Sequence, residues 1–523
     1  MEIWLKRQIS QEKSAVVQRG EGFCALAPGG DLGYGSSMQK TERAGPRGLV
    51  IGGTRSGCGK TSVALGLMRA LSRRGLAVQA MKAGPDFIDP GHHALATGRP
   101  GHNLDDWMCG AKGMRAVFER YAAGADVVVV EGVMGLFDGF SATDEAGSTA
   151  RLAKLLGLPV LLVADAASMA RSAAALVGGY LAFDPDLPFC GVVLNNAGSE
   201  SHAALLREAL AAALPATRLW GVLPRRPELA TPSRHLGLLT AEDDIDALTR
   251  LDRLADWLEA ALDLPALLDT LPPFPPVGGS GGDDPPRRVQ GGALAGSGAA
   301  PQPPEASYSP RIGVARDRAF CFYYAENLRL LEAAGAGLVP FSPLAEGSLP
   351  EGLDGLYLGG GYPELHAGRL AENAAMRRAV RDFCLSGRPV LAECGGFMYL
   401  MESVADGEGR EHPMAGVFPL RAAMGERFAA LGYREVTTRE ATLLGPAGTV
   451  VRGHEFHYSR LVGGSGAVPA VYAMTGRKGV IDVAEGFLAG RTLGSYVHLH
   501  FGSNPEAARQ FVAACRERAG EEA

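Results

Sequence analysis

The chain alternates short apolar segments with amphipathic ones over most of its length. In the first half, the nearly continuous apolar runs are residues 49–51, 77–81, 126–131, 159–164 and 189–194. Between the first two runs, Val63, Leu67, Met68 and Leu71 recur at helical spacing, which predicts a helix that ends near Gly75. Apolar strands that alternate with helices are typical of a parallel sheet covered on both faces. In such a sheet, ligands bind at the carboxyl ends of the strands.

The same alternation begins again after a segment that is poor in apolar side chains. Residues 271–310 are rich in Pro, Gly, Ser and Asp, and we interpret them as a linker. Apolar runs then return at 311–315, 355–359 and 389–393. The pattern therefore predicts an α/β protein with two doubly wound domains, residues 47–270 and 311–523. Residues 1–46 lack clear periodicity and are predicted to be a flexible extension.

Composition and charge narrow the range of partners. A chain of 523 residues exceeds what one hydrophobic core usually holds, which agrees with two domains. The net charge of −6 gives no basic footprint, so no nucleic-acid partner is expected. No apolar run approaches the ~18 residues of a membrane span, and no signal peptide is visible, so we expect a cytoplasmic protein without membrane contact. The eight dispersed cysteines argue against a disulfide framework or a zinc ribbon.

Residues 49–62 combine a strand, a glycine-rich turn and a helix start, which together predict a phosphate-binding loop. Lys60 can reach the terminal phosphates, and the Thr61 hydroxyl can ligate Mg²⁺. The loop is one residue longer than Gly-x4-Gly-Lys-Thr, because Thr54 stands where that motif has glycine. Asn195, after the fifth apolar run, can pair with a nucleobase edge or form a turn. The residues predicted to contact nucleotide are Gly53, Ser56, Gly57, Cys58, Gly59, Lys60, Thr61, Ser62 and Asn195.

Carboxylates follow two of the predicted strands. Asp86 and Asp89 come after the second run, whereas Glu131 and Asp138 come after the third. Parallel strands bring these side chains to the edge that carries the phosphate loop. Since Mg²⁺ prefers oxygen ligands, Asp86 and Glu131 are predicted to bind it together with Thr61. Asp89 and Asp138 are then left to position a substrate.

The second domain has its own candidate chemistry at residues 389–400, which read as strand, sharp turn and helix with Cys394 at the turn. A thiol exposed at a helix N-terminus is favoured as thiolate. Residues 494–501 supply a candidate base, since His498 and His500 alternate on one face of a strand. One histidine can act as the base and the other can orient it. These residues indicate acyl transfer through a thioester.

Glycines near this cysteine complete the predicted site. Backbone N–H groups of the 359–361 turn, in particular Gly360 and Gly361, can form an oxyanion hole with that of Gly395. The alternative is a structural cysteine in a glycine turn, with histidines in a core strand. His454 and His457 do not form a convincing metal site, because a strand would point them to opposite faces.

As a set, these motifs resemble the cobyrinic acid and hydrogenobyrinic acid a,c-diamide synthase family of corrinoid biosynthesis. The segments that carry the resemblance are residues 53–61, 82–90, 131–139, 392–396 and 495–501. The likeness runs from about Arg47 to about Ala514. It implies a P-loop NTPase-like amidoligase domain similar to dethiobiotin synthetase, whose phosphate loop has the same extra residue. It also implies a C-terminal class I glutamine amidotransferase domain of flavodoxin-like fold.

The resemblance implies ATP- and glutamine-dependent amidation of the a and c acetate carboxylates of a corrin ring through acyl phosphates, in cobalamin biosynthesis. Cys394 would release ammonia from glutamine, and His498 would raise its nucleophilicity. The wider class has a glutamate two residues after this histidine, whereas this chain has His500, so we expect slow glutamine turnover. Asp86, Asp89 and Asp138 would orient the substrate acid. The expected small-molecule partners are a corrinoid acid, glutamine and ATP with Mg²⁺, and the chain is compatible with a homodimer.

Two kinds of alternative function stay open at this level. The same chemistry could act on another macrocycle, as a,c-diamidation of nickel sirohydrochlorin or as amidation of the cobyric acid synthase type. A more distant alternative is a partitioning-type switch ATPase, in which the second domain is an inert interaction module. A fold shared with such ATPases does not by itself indicate their function.

Overall fold

A computed structural model of the protein describes residues 45–230, 233–234, 237–241, 243–274, 308–463 and 468–521. The predicted extension up to residue 44 and the linker residues 275–307 lie outside the described residues. Residues 271–274 were also predicted to be linker, but they pack on the first domain: the Phe274 N–H donates to Pro46 O at 3.1 Å. Within the described ranges, no helix is both long and apolar enough to cross a membrane.

The first domain is built on a sheet of seven parallel strands. In spatial order they are β3 (His102–Leu104), β2 (Val78–Ala83), β4 (Val127–Glu131), β1 (Arg47–Gly53), β5 (Val160–Asp165), β6 (Phe189–Ala197) and β7 (Leu219–Pro224). The five predicted strands are confirmed. The short edge strand β3 and the terminal strand β7 were not predicted, so the fifth apolar run is the sixth strand of the chain.

Helices cover both faces of this sheet, because most of its strands carry buried apolar side chains on both faces. They are α1 (Lys60–Arg73), α2 (Ile88–Thr97), α3 (Asp106–Ala122), α4 (Thr149–Leu156), α5 (Arg171–Phe183), α6 (Glu200–Ala213), α7 (Ala247–Glu259) and α8 (Leu264–Thr270). A 3-10 turn at Pro227–Leu229 and the two-residue strands β8 (Ser233–Arg234) and β9 (Gly237–Leu238) precede α7. Gly66 lets α1 approach α7 closely, since a Cβ there would lie 2.9 Å from Leu254 O.

The second domain is built on a six-stranded sheet, parallel except at one edge. Its strands, in spatial order, are β11 (Gly337–Phe341), β10 (Arg311–Ala315), β12 (Gly355–Leu358), β13 (Val390–Glu393), β23 (Thr492–Ser495) and the antiparallel β22 (Phe487–Ala489). Its helices are α9 (Ala325–Ala333), α10 (Ala367–Glu372), α11 (Ala374–Leu385), α12 (Gly395–Tyr399) and α13 (Pro505–Glu521), with 3-10 turns at Pro363–His366 and Phe501–Ser503. The three predicted strands of this domain are confirmed.

Two further sheets, which the sequence did not predict, lie between α12 and the end of the domain. One contains β15 (Glu411–Pro413), β14 (Met401–Ala405), β16 (Phe418–Ala423) and β19 (Arg460–Val462). The other is antiparallel and contains β21 (Gly479–Ile481), β20 (Tyr472–Gly476), β17 (Ala430–Thr438), β18 (Val450–His457) and β24 (His498–Leu499). His498 is paired with His454 of β18, so this extra sheet fixes the strand that carries the candidate base.

Both large sheets belong to one compact unit that begins at Gly45. Polar contacts join the two domains: Tyr433 Oη donates to Asp105 Oδ2 at 2.6 Å, and Tyr121 Oη donates to Glu326 Oε2 at 2.8 Å. Asp105 and Glu326 are both buried. Because buried polar groups without partners are costly, these bonds favour a fixed arrangement of the domains.

Candidate active site

The phosphate loop joins β1 to α1 in a conformation that requires its glycines. Gly57 and Gly59 have φ angles of 75° and 98°, in the left-handed region that favours glycine. A Cβ on Gly53 would lie 2.5 Å from Cys58 Sγ, so that glycine lets the loop fold back on itself. Ser56 and Gly57 are exposed at its tip, and Ser62 follows in the first turn of α1. The glycines therefore allow the tight strand-to-helix turn on which the predicted phosphate loop depends.

Lys60 and Asn195 hold this loop from inside. The Lys60 ammonium donates to Arg55 O at 3.2 Å and to Met134 O, so it spans the mouth of the cradle. Asn195 Nδ2 donates to Cys58 O at 3.0 Å, and its Oδ1 accepts from the Asn196 N–H at 2.8 Å. The Asn195 amide is thus engaged within the protein, which corresponds to the turn-forming alternative rather than to nucleobase pairing.

Beside the loop, Glu131 at the end of β4 is the centre of a buried polar cluster. Thr61 Oγ1 donates to Glu131 Oε1 at 2.6 Å, and Lys82 Nζ lies 2.9 Å from the same oxygen. His93 Nε2 lies 2.7 Å from the other oxygen of Glu131. Lys82 Nζ also lies 2.5 Å from Asp89 Oδ2. Two carboxylates, one ammonium, one imidazole and one hydroxyl therefore meet at the predicted strand edge.

The charges in this cluster depend on one another. Burial alone would raise the pKa of Glu131, but Lys82 and the His93 and Thr61 hydrogen bonds outweigh burial and hold it well below its ordinary value. Burial likewise disfavours the Lys82 cation, yet Asp89 and Glu131 together raise its pKa. Burial and then the charge of Glu131 raise the pKa of Asp89 to about 7. Lys82 and Glu131 are therefore a charged pair at neutral pH.

The cluster fits a divalent cation that is completed by phosphate and water. Asp89 Oδ1 is buried and has no hydrogen-bond partner among the described residues, while Thr61 and Glu131 present oxygens next to the phosphate loop. The described part of the chain has no group of three or more His, Cys, Asp or Glu side chains placed to hold a metal. Mg²⁺ characteristically keeps several waters and is held by one or two carboxylates plus substrate phosphates, so this oxygen set suits it.

Asp86 and Asp138, which were also predicted at this edge, have local roles in the structure. Asp86 Oδ1 accepts from the N–H groups of Ile88 and Asp89 at 2.7 and 3.0 Å, and so caps the start of α2. Asp138 Oδ2 accepts from the Gly135 N–H at 3.0 Å. Asp86 was expected to be a cation ligand and Asp89 to position substrate, but Asp89 is the one with its carboxylate in the Glu131 cluster.

In the second domain, Cys394 forms the predicted sharp turn after β13. Its φ of 45° is strained for a residue with a side chain, and its N–H donates to Ser495 O at 2.7 Å. A Cβ on Gly396 would lie 2.1 Å from Leu358 O, so the helix after the turn can pack this closely only with glycine. The expectation of an exposed thiolate is wrong in this structure. Only 6% of Cys394 is exposed, and burial, with Glu364 second, raises the pKa of the thiol.

His498 lies against the glycine turn that follows β12. A Cβ on Gly360 would be 2.2 Å from His498 Cε1, and a Cβ on Gly395 would be 3.0 Å from Gly361 N. The Cys394 turn and His498 therefore contact the same turn, whose N–H groups were predicted as the oxyanion hole. His498 Nδ1 is buried and has no hydrogen-bond partner in the described structure. Burial, with the charges of His454 and His457 after it, lowers the pKa of His498 to about 3, so the imidazole is neutral at physiological pH and its protonated form is disfavoured.

His500 does not orient His498 in this arrangement. Its Nδ1 accepts from the Gly502 N–H at 3.1 Å and lies 3.4 Å from Cys109 Sγ of the first domain. Its ring centroid is 4.6 Å from that of Tyr324. The strand ends at Leu499, before His500, and the predicted orienting contact is replaced by these bonds.

An aromatic side chain joins the two candidate sites. Phe87, between the helix cap Asp86 and the start of α2, has its ring centroid 4.8 Å from that of His498. The same ring lies 5.2 Å from Phe322 and 4.5 Å from Tyr324. A residue two positions before Asp89 therefore packs against the candidate base of the other domain.

The sequence interpretation missed the roles of Lys82, His93 and Phe87. Lys82 directly continues an apolar run, which indicates that it is buried. Since a buried lysine is almost always paired, this position could have suggested an acidic partner. His93 lies on the buried face of α2, one turn after Asp89, which could have suggested the same cluster. Nothing in the local sequence distinguishes Phe87 from an ordinary core aromatic.

Family models match both halves of the chain. Residues 49–239 match a CobQ/CobB/MinD/ParA nucleotide binding domain, and residues 311–506 match a CobB/CobQ-like glutamine amidotransferase domain. These two ranges contain the phosphate loop and the Cys394 turn respectively.

Curated relatives match nearly the whole chain. A cobyrinate a,c-diamide synthase of Syntrophotalea carbinolica is 48% identical over 471 residues, which cover 90% of this chain and 98% of the relative. A hydrogenobyrinate a,c-diamide synthase of Streptomyces coelicolor is 44% identical over 491 residues, with 90% and 97% covered. A cobyrinate a,c-diamide synthase of Archaeoglobus fulgidus is 41% identical over 464 residues, with 89% and 96% covered.

Proposed function

The chain belongs to the family of cobyrinate and hydrogenobyrinate a,c-diamide synthases, and from this membership we propose that it amidates the a and c acetate carboxylates of a corrin ring with ATP and glutamine. The reaction would be a step of cobalamin biosynthesis. The observation that carries the proposal is the contact between Phe87 of the first domain and His498 of the second. A phosphate cradle with buried carboxylates is thereby joined to a cysteine–histidine site.

Each domain would supply one half of the reaction. Residues 47–270 would act as the amidoligase and residues 311–523 as the glutamine amidotransferase. The parallel sheets on which both sites lie support this division, since each site is at the carboxyl ends of its strands.

In the first domain, a substrate carboxylate would be activated because a free carboxylate is a poor electrophile. Its oxygen would attack the γ-phosphorus of ATP, ADP would leave, and an acyl phosphate would form. Lys60 and the N–H groups of the loop would hold the phosphates. Thr61, Glu131 and Asp89 would hold Mg²⁺, with Asp86 close by. When bound, Mg²⁺ neutralises charge on the transferred phosphoryl group.

Other polar side chains of this domain would prepare that step. Lys82 keeps Glu131 ionised and compensates the charge of Asp89, so the cluster does not repel an anionic phosphate as strongly as two free carboxylates would. His93 holds the second oxygen of Glu131 and so fixes the direction of the first. Asp138 would help to position the substrate acid.

In the second domain, Cys394 Sγ would attack the side-chain amide carbon of glutamine and transfer its proton to His498. The N–H groups of Gly360, Gly361 and Gly395 would stabilise the resulting oxyanion. Ammonia would leave, and water would hydrolyse the thioester to glutamate. Burial disfavours the thiolate and the imidazolium alike, so glutamine turnover should be slow until the site rearranges.

The ammonia would then attack the acyl phosphate and expel inorganic phosphate, which leaves an amide. Proximity of the two sites matters, because ammonia that reaches bulk water is protonated and lost as a nucleophile. Phe87 precedes Asp89 of the Glu131 cluster by two residues and its ring packs against His498, so we propose that ammonia passes beside this ring. Two successive cycles would amidate the a and c side chains.

Mass spectrometry of the products tests this function. The protein is incubated with ATP, Mg²⁺ and glutamine, and with cobyrinic acid, hydrogenobyrinic acid or nickel sirohydrochlorin in separate reactions. We expect two carboxylates of one corrin acid to become amides, with one glutamate and one ADP formed per amide. Lys60→Ala is the control that should form no product from either glutamine or ammonium. Absence of amidation with every tetrapyrrole acid would refute the proposal.

A further inference from the structure

A second buried acid lies next to the nucleophile and has no part in the mechanism above. Glu393 is the last residue of β13 and directly precedes Cys394. Only 2% of the residue is exposed. Its Oε1 accepts from the Leu499 N–H at 2.9 Å, and its Oε2 accepts from Tyr357 Oη at 2.9 Å. Both oxygens are thus engaged within the protein.

Leu499 is the residue between His498 and His500, and both of its backbone polar groups are held by side chains. Glu393 takes the N–H, while Asn327 Nδ2 donates to Leu499 O at 2.7 Å. Asn327 Oδ1 also accepts from the Phe501 N–H at 2.8 Å. The strand that carries the candidate base is therefore fixed by side-chain bonds in addition to its backbone pairing.

These bonds matter because the backbone pairing of this strand is short. β24 has two residues, with His454 of β18 opposite His498 and Gly453 opposite Leu499, and the His500 N–H then donates to Arg452 O at 2.9 Å. A strand this short has few backbone hydrogen bonds, so side-chain bonds form a large share of those that hold it. The carboxyl group of Glu393 adds an anchor that comes from the residue adjacent to Cys394 in the chain.

We propose that Glu393 is a positioning residue for the cysteine–histidine pair, which holds the backbone of His498 and Leu499 at a fixed distance from Cys394. Class I glutamine amidotransferases usually have a glutamate two residues after the histidine, and Glu393 would replace it in positioning the histidine. Glu393 would do so by binding the backbone next to His498 instead of the imidazole. Because Glu393 and Cys394 are consecutive, the thiol and the anchor of the histidine strand move together. This inference rests on the proposed glutamine-hydrolysing role of Cys394 and His498.

The experiment compares Glu393→Met with Glu393→Gln. Methionine fills a similar volume but cannot accept the Leu499 N–H, whereas glutamine retains an acceptor oxygen. We expect Glu393→Met to lower kcat for glutamine hydrolysis by about 10- to 100-fold, the range expected when reacting groups are displaced by up to 1 Å. KM for glutamine should be nearly unchanged, because Glu393 does not contact that substrate. Glu393→Gln should restore most of kcat.

Ammonium-driven amidation reports on the first domain and should be equal in all these variants. Asp406 provides a matched control, since this buried acid accepts hydrogen bonds from Arg410 and His412 elsewhere in the second domain. Asp406→Asn should leave glutamine hydrolysis unchanged. If Glu393→Met does not fold, Tyr357→Phe removes the other hydrogen bond of Glu393 and should lower kcat with KM preserved.

Several outcomes would overturn the inference. They are full glutamine hydrolysis by Glu393→Met or by Tyr357→Phe, an equal loss in Glu393→Gln, or a parallel loss of ammonium-driven amidation. Failure of the proposed function is distinguishable from these, because wild-type protein would then hydrolyse glutamine no faster than Cys394→Ala.

Discussion

Lys82 offers the sharpest test of the polar cluster in the first domain. Its ammonium lies 2.5 Å from Asp89 and 2.9 Å from Glu131, and only 4% of the residue is exposed. Lys82→Met retains the length of the side chain but leaves two buried carboxyls without a cation. Removing one partner of a buried ion pair typically costs ~3–5 kcal/mol, so we expect a loss of that size in the free energy of unfolding at neutral pH.

Urea unfolding, followed by circular dichroism, measures this loss as a shift of the midpoint. Lys60→Met is the matched control, because Lys60 is also buried beside the loop but donates to carbonyl oxygens of Arg55 and Met134, which carry no full charge. The control should lose ATP-dependent amidation with a much smaller loss of stability. The double substitution of Lys82→Met and Asp89→Asn should recover part of the stability, because it removes one uncompensated acid.

Two results would refute this reasoning. One is a Lys82→Met protein whose midpoint equals that of Lys60→Met, which would mean that Lys82 compensates no buried charge. The other is a strictly additive double variant, which would mean that Lys82 and Asp89 do not interact.

Four further predictions concern the second domain and the contact between domains. Cys394→Ala should abolish glutamine use but retain amidation driven by ammonium, and loss of both would contradict the division of labour. Gly360→Ala places a Cβ 2.2 Å from His498 Cε1, so glutamine hydrolysis should fall by about 100-fold with ammonium-driven activity intact. Phe87→Ala should release more glutamate per amide formed, measured in the same reaction; an unchanged ratio would exclude a coupling role. Burial lowers the pKa of His500 from 6.5 to about 4, so the unfolded chain binds more protons between these values. The free energy of unfolding should therefore fall as the pH falls through this window, and His500→Gln should flatten that dependence in urea titrations at successive pH values.

The parallel sheets could be predicted because strands buried on both faces need continuous apolar runs, as at residues 126–131 and 159–164. The same topology predicted that Glu131 would lie beside Thr61. Which of Asp86 and Asp89 joins the Glu131 cluster could not be predicted, because it depends on where α2 begins. Asp86 accepts hydrogen bonds at the start of the helix, whereas Asp89 in its first turn lies next to Lys82. Both acids are consistent with the same local pattern.

The cysteine–histidine site could likewise be predicted only in part. The Cys394 turn was predictable from strand, glycine and helix in succession. The position of His498, however, depends on pairing with β18 and on the side chains of Glu393 and Asn327, which are distant in sequence. Contacts over such separations leave no periodic pattern in the sequence. His500 was therefore predicted to orient the base, whereas in the structure it bonds the Gly502 N–H.

The bonds between the domains have a consequence for how the protein could be divided. The two domains are held together by non-covalent contacts, namely Tyr433 with Asp105, Tyr121 with Glu326 and the packing of Phe87. None of these contacts involves residues 275–307. Two polypeptides ending at residue 274 and beginning at residue 308 should accordingly assemble when expressed together. Fusion of the two domains in one polypeptide would then ensure equal amounts of each, and the reaction itself would not require it.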